Sequence, residues 1–411
     1  MRLLVVSSRY PPASQGDYEL IGADTVTALA ARHDIVVLTC APRGGGDESA
    51  PTDLSPPRLT VRQELPRLAG RRSDSLRAPT AAIAAARSMR ALIRELRPDL
   101  IFVWNATGIP HSTLWAAQRS GVPLAFYVAA PFLAGLYRDD PFARHLTRGG
   151  GGLRSVWATL MKLVNLSPEL RIKPGAPLRA SVAWASEAIR AQSPPPAFIE
   201  LVQAGVIYPA TPRDADFGAV RRSPPPRQPL LACLTRLGPR QQPEIAIRAF
   251  GMLVAQGIDA RLEIAGPGEP GYLATLQALV DGVGAGDRVA FRGPLQHEDV
   301  LDLFERASAL LVPSAGQDPL ALAALQAAFA RLPVVAAEGG GLPEALRPDV
   351  EALYFPAGDW ESCAAALAET VRDSVATARR VSRARARARE LSFDRYIKQI
   401  EEFLENSARR R

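Results

Sequence analysis

The stretch Leu310 to Ala330, LLVPSAGQDPLALAALQAAFA, passes from a short apolar run through a turn of small residues into an Ala/Leu-rich helix. Strand, turn and helix N-terminus in that order form the repeating unit of an open α/β sheet, where free backbone N–H groups and the helix dipole meet ligands. Two polar residues stand out in this stretch, Asp318 and Gln326, eight positions apart. That is just over two helical turns, so a helix beginning near Asp318 projects both from about the same face. Such a face can hold a sugar or a ribose. Equally, Asp318 can be a helix cap and Gln326 a solvated side chain.

Working outward, the same alternation fills residues 230–390. Apolar strands LLACLTR, ARLEIAG, RVAFRG, ALLVPS, PVVAA and EALYF alternate with helices at Pro243–Ala255, Gly271–Val280, His297–Arg306 and Trp360–Thr370. Before this lies PATPRDADFGAVRRSPPPRQP, dense in proline and charge, which reads as a linker over 213–229. Residues 1–212 show strand and helix units again: RLLVVSS, a helix over 20–31, DIVVLTC, a Pro/Gly/Asp-rich loop, a helix over 80–96, DLIFVWN, a helix over 112–119 and PLAFYVA. SVAWASEAIRAQ and VIYPA follow, as a last unit and a strand leaving the domain. Nearly all-apolar strands in βα units predict parallel sheets covered on both faces. The fold class is therefore α/β, with two doubly wound domains. Residues 391–411 read as a C-terminal helix, either solvated, lying between the domains or packing back on the N-terminal domain.

Composition agrees with this reading and narrows the function. A chain of 411 residues with 47% hydrophobic content can build about two ordinary cores. The three cysteines, Cys40, Cys233 and Cys363, are far apart and lack metal-ligand spacing, which suits structural thiols in a reducing compartment. The N-terminal apolar run is too short for a signal peptide, and no run approaches the roughly 20 residues of a membrane span. A cytoplasmic protein is expected, free or attached peripherally at the inner face of the membrane. The net charge of +7 is mostly arginine, lysine occurring only at 162, 173 and 398, and the basic clusters lack interleaved aromatics. Nucleic acid is therefore not the expected partner. In GGGGLRSVWATLMKLVNLSPELRIK, Leu153, Val156, Trp157, Leu160, Met161 and Val164 recur at helical spacing with Arg154 and Lys162 off the stripe. This helix packs on its own domain or lies on an anionic membrane surface. The glycines at 282, 284 and 286 follow a helix and precede a strand, so they stop a helix rather than bind a dinucleotide.

The order of motifs in the second domain is more specific than any one of them. CLTRLGPRQQPEIAIRAF, LEIAGPGEP, RVAFRGPLQHEDVLDLFERASALLVPS, DPLAL, VVAAEGGGLPEAL and PAGD follow one another. This order resembles the retaining nucleotide-sugar glycosyltransferases of the GT-B fold, glycogen-synthase-like members of glycosyltransferase family 4 or group 1. The resemblance implies two Rossmann-like domains facing across a cleft. It also implies transfer of a sugar from a nucleotide diphosphate sugar to a glycan or lipid-linked acceptor, with retention, no cofactor and no metal. A diphosphate leaving group needs cations and backbone donors, so Arg236 and Arg240 match the phosphate-binding loop, and Gly339, Gly340, Gly341 and Leu342 the diphosphate turn. Gly266 and Gly268 match the glycine-rich loop, and Asp318 and Gln326 the positions of two glutamates that hold the donor sugar and ribose. On this match Asp318, Arg236 and Arg240 are the catalytic candidates.

Departures from the pattern are also visible. Gln326 replaces a carboxylate that would accept two charge-assisted hydrogen bonds. Gln241 and Gln242 stand where the family has Lys and Gly, with Arg240 one position away. In the N-terminal domain, Gly16 is left of a glycine pair, and the end of the middle strand, Tyr127 to Ala130, lacks the family histidine. Gly16, Asp17 and His111 are the acceptor-side candidates, with an ordinary turn and a structural histidine standing beside that assignment. His145 is a further histidine in that half. A second function stays open: a GT-B protein that binds a nucleotide sugar, or supports a partner enzyme, with little or no turnover.

Overall fold

Strands without polar interruptions need apolar cover on both faces, and the second half of the chain shows how that cover is arranged. The computed structural model describes residues 1–410 except 12–16, 41–57, 67–73, 137–139, 141, 143–145, 147–152, 168–169, 174–175, 223–226 and 315–321. The chain divides into two units: residues 1–185, 189–207 and 397–411 form one, and 186–188 with 208–396 the other. The chain leaves the first unit and ends in it.

The second unit holds a parallel sheet of β8 (Leu230–Leu234), β9 (Arg261–Ala265), β10 (Val289–Gly293), β11 (Ala309–Val312), β12 (Val334–Ala337) and β13 (Leu353–Phe355). Their order is β10-β9-β8-β11-β12-β13, reversing direction between β8 and β11. Successive residues serve opposite faces. Ala232, Leu310, Val312, Val334 and Ala336 belong to one core, while Leu231, Cys233, Leu311, Val335 and Ala337 belong to the other. The helices of this unit are α6 (Asp214–Ala219), α7 (Pro243–Ala255), α8 (Pro270–Gly282), α9 (His297–Arg306), α10 (Leu322–Phe329), α11 (Leu342–Ala345), α12 (Trp360–Arg372) and α13 (Ser374–Glu390). Asp359, in the PAGD turn, caps α12 by accepting the Ser362 N–H at 3.0 Å. The Ser362 hydroxyl, donating to it at 2.6 Å, and that N–H hold its carboxyl below the usual range.

In the first unit, β1 (Arg2–Ser7), β2 (Asp34–Cys40), β3 (Leu59–Leu65), β4 (Leu100–Asn105), β5 (Leu124–Val128), β6 (Leu178–Trp184) and β7 (Ile199–Val206) form a parallel sheet of order β3-β2-β1-β4-β5-β6-β7. Here the direction reverses between β1 and β4. The helices α1 (Asp17–Leu29), α2 (Asp74–Leu96), α3 (His111–Arg119), α4 (Leu153–Asn165) and α5 (Glu187–Gln192) lie in this part of the chain, and α14 (Phe393–Arg409) returns to it. The helix α14 buries Ile400, Phe403 and Leu404, and its Glu401 binds Arg32 and His33 at 2.8 and 2.9 Å.

Four readings of the sequence change here. The polar segment before α2 contains β3, whose burial alternates because it is an edge strand. The helix α2 begins at Asp74 and takes Pro79 into an early turn. The last strand of the first sheet is β7, ahead of VIYPA. The stretch taken as a linker carries α6, and its Phe217 and Val220 are buried in the second unit's core. All three cysteines are free and buried.

Candidate functional site

Because each sheet is parallel, its βα loops open on one edge, and the point where strand order reverses leaves a crevice there. In the second unit that point lies between β8 and β11. The loop after β8 carries Arg236 and Arg240, both exposed. It is fastened to the loop after β9: Thr235 N–H donates to the Ala265 carbonyl at 2.9 Å, and Leu237 N–H to that of Pro267 at 2.8 Å. The Gly266 N–H in turn donates to the Gly293 carbonyl at the end of β10, at 2.8 Å.

The glycines make this closeness feasible. Gly266 has φ +147°, and a Cβ there would lie 1.9 Å from the Thr235 carbonyl oxygen. A Cβ on Gly268 would meet Leu237 Cβ at 2.5 Å. Both glycines therefore shape the arginine loop. Gln242, at the N-cap of α7, has φ +50°, and its amide oxygen is buried without a hydrogen-bond partner. A side chain thus sits in a left-handed conformation at the position matched to a family glycine.

On the other side of the switch point, β11 ends at Val312. Asp318 lies outside the described residues, and the described part of the following helix, α10, starts at Leu322. Gln326 is half-exposed on α10, and no hydrogen bond engages its side chain among the described residues. After β12, Gly339 and Gly340 have positive φ of 149° and 60°, and Gly341 leads into α11, where Leu342 is buried. Arg236, Gly266, Gly268 and Gly339–Gly341 thus lie on loops at one edge of one sheet, with Gln326 on the helix following β11.

In the first unit the corresponding loops follow β1 and β4. Gly16 and the side chain of Asp17 lie outside the described residues, as does His145. His111 is the first residue of α3, and its N–H donates to Asp140 at 2.6 Å. Its side chain is buried, and burial pushes the imidazole down to about 3. The imidazole is thus held neutral and away from solvent. What the sequence reading passed over is an aromatic stack near this edge. Tyr18, Trp104 and Tyr127 pack face to face with centroids 5.5 and 4.8 Å apart. Trp104 Nε1–H donates to the Tyr18 carbonyl at 3.1 Å, and a Cβ on Gly22 would lie 2.6 Å from that nitrogen. Aromatic residues ending two apolar strands and opening a helix were the available signal.

The fold and the edge loops define a class: GT-B proteins, built from two parallel-sheet α/β domains. Residues 219–389 match the family described as glycosyl transferases group 1. A D-inositol 3-phosphate glycosyltransferase of Mycobacterium sp. (strain KMS) is 34% identical over 172 residues, 40% of this chain and 38% of that protein. The matched part thus spans well under half the length of that relative. The glycogen synthase of Mycobacterium tuberculosis (strain ATCC 25618 / H37Rv) is 28% identical over 94% of this chain and 90% of its own. Among solved structures, Anabaena Alr3699/HepE in complex with UDP superposes with a TM-score of 0.70 at 18% identity, covering 99% of this chain and 100% of that one. Sucrose-phosphate synthase from Thermosynechococcus elongatus gives 0.68 at 17%, covering 98% of each.

Proposed function

We propose that the protein transfers a sugar from a nucleotide diphosphate sugar to a glycan or lipid-linked acceptor, with retention of configuration. The observation that carries this is the convergence of the arginine loop, the Gly266 loop and the Gly339–Gly341 turn on one edge of the second sheet. Breaking the donor bond puts negative charge on the diphosphate, which Arg236, Arg240 and the N–H groups of the glycine turn would stabilise. Asp318 would hold the donor sugar and Gln326 the ribose. Retention follows if the leaving phosphate takes the acceptor proton on the same face of the sugar. With arginines supplying the countercharge, the reaction is proposed to need no metal, and chelation with EDTA should leave its rate unchanged. A thermal-shift series with nucleotide diphosphates and their sugars tests the reading, since a donor bound at 100 times its Kd adds ~2.7 kcal/mol. Absence of any shift at millimolar concentration would sink it.

A second reading, donor binding with little turnover, is favoured by Gln242 in its left-handed conformation and by the neutral amide at Gln326. Release of nucleotide diphosphate with and without acceptor separates the two.

The proposal extends to location, at the inner face of an anionic membrane from the cytoplasm. No helix among the described residues is long and apolar enough to cross a membrane. The helix α4 buries Met161 inward but leaves Leu160 and Leu163, with Leu166 just beyond its end, exposed by 41%, 59% and 69%. Lys162 is exposed beside Leu163, and the Asn165 side chain clamps Ile172 through two hydrogen bonds, so the backbone that carries Arg171 and Lys173 meets the end of this helix. Leucines flanked by cations suit an anionic bilayer surface. Flotation with phosphatidylglycerol vesicles should carry the protein, and Leu163→Glu with Leu166→Glu should abolish it; equal recovery of both proteins refutes the docking.

A further inference from the structure

The second unit contains a cavity of about 410 Å³ bordered by α6, α10, α13 and the start of α14, lined in part by Phe329, Arg385, Arg389 and Phe393. Arg385 and Arg389 lie one turn apart on α13. Among the described residues neither makes a hydrogen bond or an ion pair. Arg331, just beyond α10, donates to the Val220 carbonyl at 3.0 Å, and Arg222 to those of Phe304 and Ala307 at 2.9 and 2.7 Å. Those two guanidinium groups thus meet neutral oxygens, which leave their charge uncompensated. The cluster is self-repelling: burial and the charges of Arg331 and Arg389 push Arg385 down, and burial together with Arg331 pushes Arg222 down to about 10. The carboxylates on the cavity wall are Asp214 and Asp394. Asp214 is occupied by the Phe393 N–H at 2.7 Å, and neither pairs with an arginine of the cluster.

A concavity lined by two guanidinium groups without ion pairs, with the charge of Arg331 acting on one of them, is suited to a multiply charged anion, and two arginines one turn apart can each present a fork to it. Phe329 and Phe393 give an apolar wall for an organic body. The location also separates it from the donor loops. Arg331 precedes β12, and Phe304 and Ala307 precede β11, so the cluster lies at the N-terminal edge of a sheet whose arginine and glycine loops open on the C-terminal edge.

We propose that this cavity is a second binding site, taking a phosphorylated small molecule through Arg385 and Arg389, with Arg222 and Arg331 reinforcing the field. It does not depend on the proposed transfer reaction. Titration calorimetry with pyrophosphate in 150 mM salt would test it on the full chain, with Arg385→Gln/Arg389→Gln and Arg236→Gln/Arg240→Gln variants. The expected result is a binding event that persists in the donor-loop variant and weakens at least about tenfold in the α13 variant. Binding that is absent in the wild type, unaffected by the α13 variant, or lost with the donor-loop variant alone would overturn the site. Should the α13 double variant fail to fold by circular dichroism, Arg385→Lys decides. It keeps the charge but loses the fork, so weaker pyrophosphate binding supports the site and an unchanged Kd overturns it.

Discussion

Gly266 and Gln242 show how much of the proposed donor edge depends on single backbone conformations. At Gly266 an added methyl would collide with backbone rather than with the far end of a flexible side chain. Gly266→Ala must therefore part the loops after β8 and β9, and we expect a loss of about 2 kcal/mol or more in urea melts, together with weakened nucleotide binding. A wild-type melting profile would contradict the close approach. At Gln242 the strain is already present, so Gln242→Gly should cost nothing or gain up to about 1 kcal/mol. Gln326 poses a different question, one of charge. A carboxylate there would replace a neutral hydrogen bond to a ribose hydroxyl with a charge-assisted one, a difference of about 1 kcal/mol, or roughly fivefold in Kd. Gln326→Glu should tighten donor binding by about that factor in calorimetry; an unchanged Kd would remove Gln326 from the ribose.

Among the elements, the joint between α6 and α14 carries a pH dependence. Burial pushes the Asp214 carboxyl up to about 6, against the lowering effect of the Phe393 N–H, and the charge of Asp394 adds to the rise. The folded state then holds this proton more tightly than the unfolded chain, whose carboxyl titrates near 4. Asp214 thus makes stability fall as pH rises from about 4 to about 6. Asp214→Asn keeps an oxygen for the Phe393 N–H but loses the charge. The variant should be at least as stable as wild type at pH 7, with the difference shrinking at pH 4.5; parallel urea midpoints at the two values would refute this. His111 acts in the opposite sense, losing stability below its ordinary value, but it is common to both proteins and cancels in the difference. The elements also divide by how readable they were. β8, β11 and β12 are continuous apolar runs because both faces are covered, and the sequence reading located each of them. β3 and β7 lie at sheet edges, where polar residues reach solvent and the apolar run breaks up, and both were misread. The proline-rich stretch hid α6 because Phe217 is a lone anchor without periodicity around it. The positions of the arginine and glycine loops were legible from motif order, whereas the left-handed Gln242 and the Trp104 stack depend on contacts between distant segments.

At the scale of the whole molecule, the chain's path sets which parts can stand alone. Residues 208–396 carry a sheet with apolar cores on both faces and all the proposed donor loops, so this fragment should fold by itself and keep whatever nucleotide affinity the full chain has. Residues 1–207 are in a different position, because their unit is completed from the far end of the sequence by 397–411. There Ile400, Phe403 and Leu404 are at most 4% exposed, and Glu401 ties Arg32 and His33. Removing one buried leucine or phenylalanine side chain costs ~2–5 kcal/mol, comparable to much of a domain's net stability of ~5–15 kcal/mol. The fragment 1–207 should therefore be unstable or aggregate, and a peptide spanning 393–411 added in trans should restore protection from proteolysis, while the same peptide with Phe403→Ala and Leu404→Ala should not. If 1–207 resists protease as well without the peptide as with it, the returning helix contributes nothing to that core.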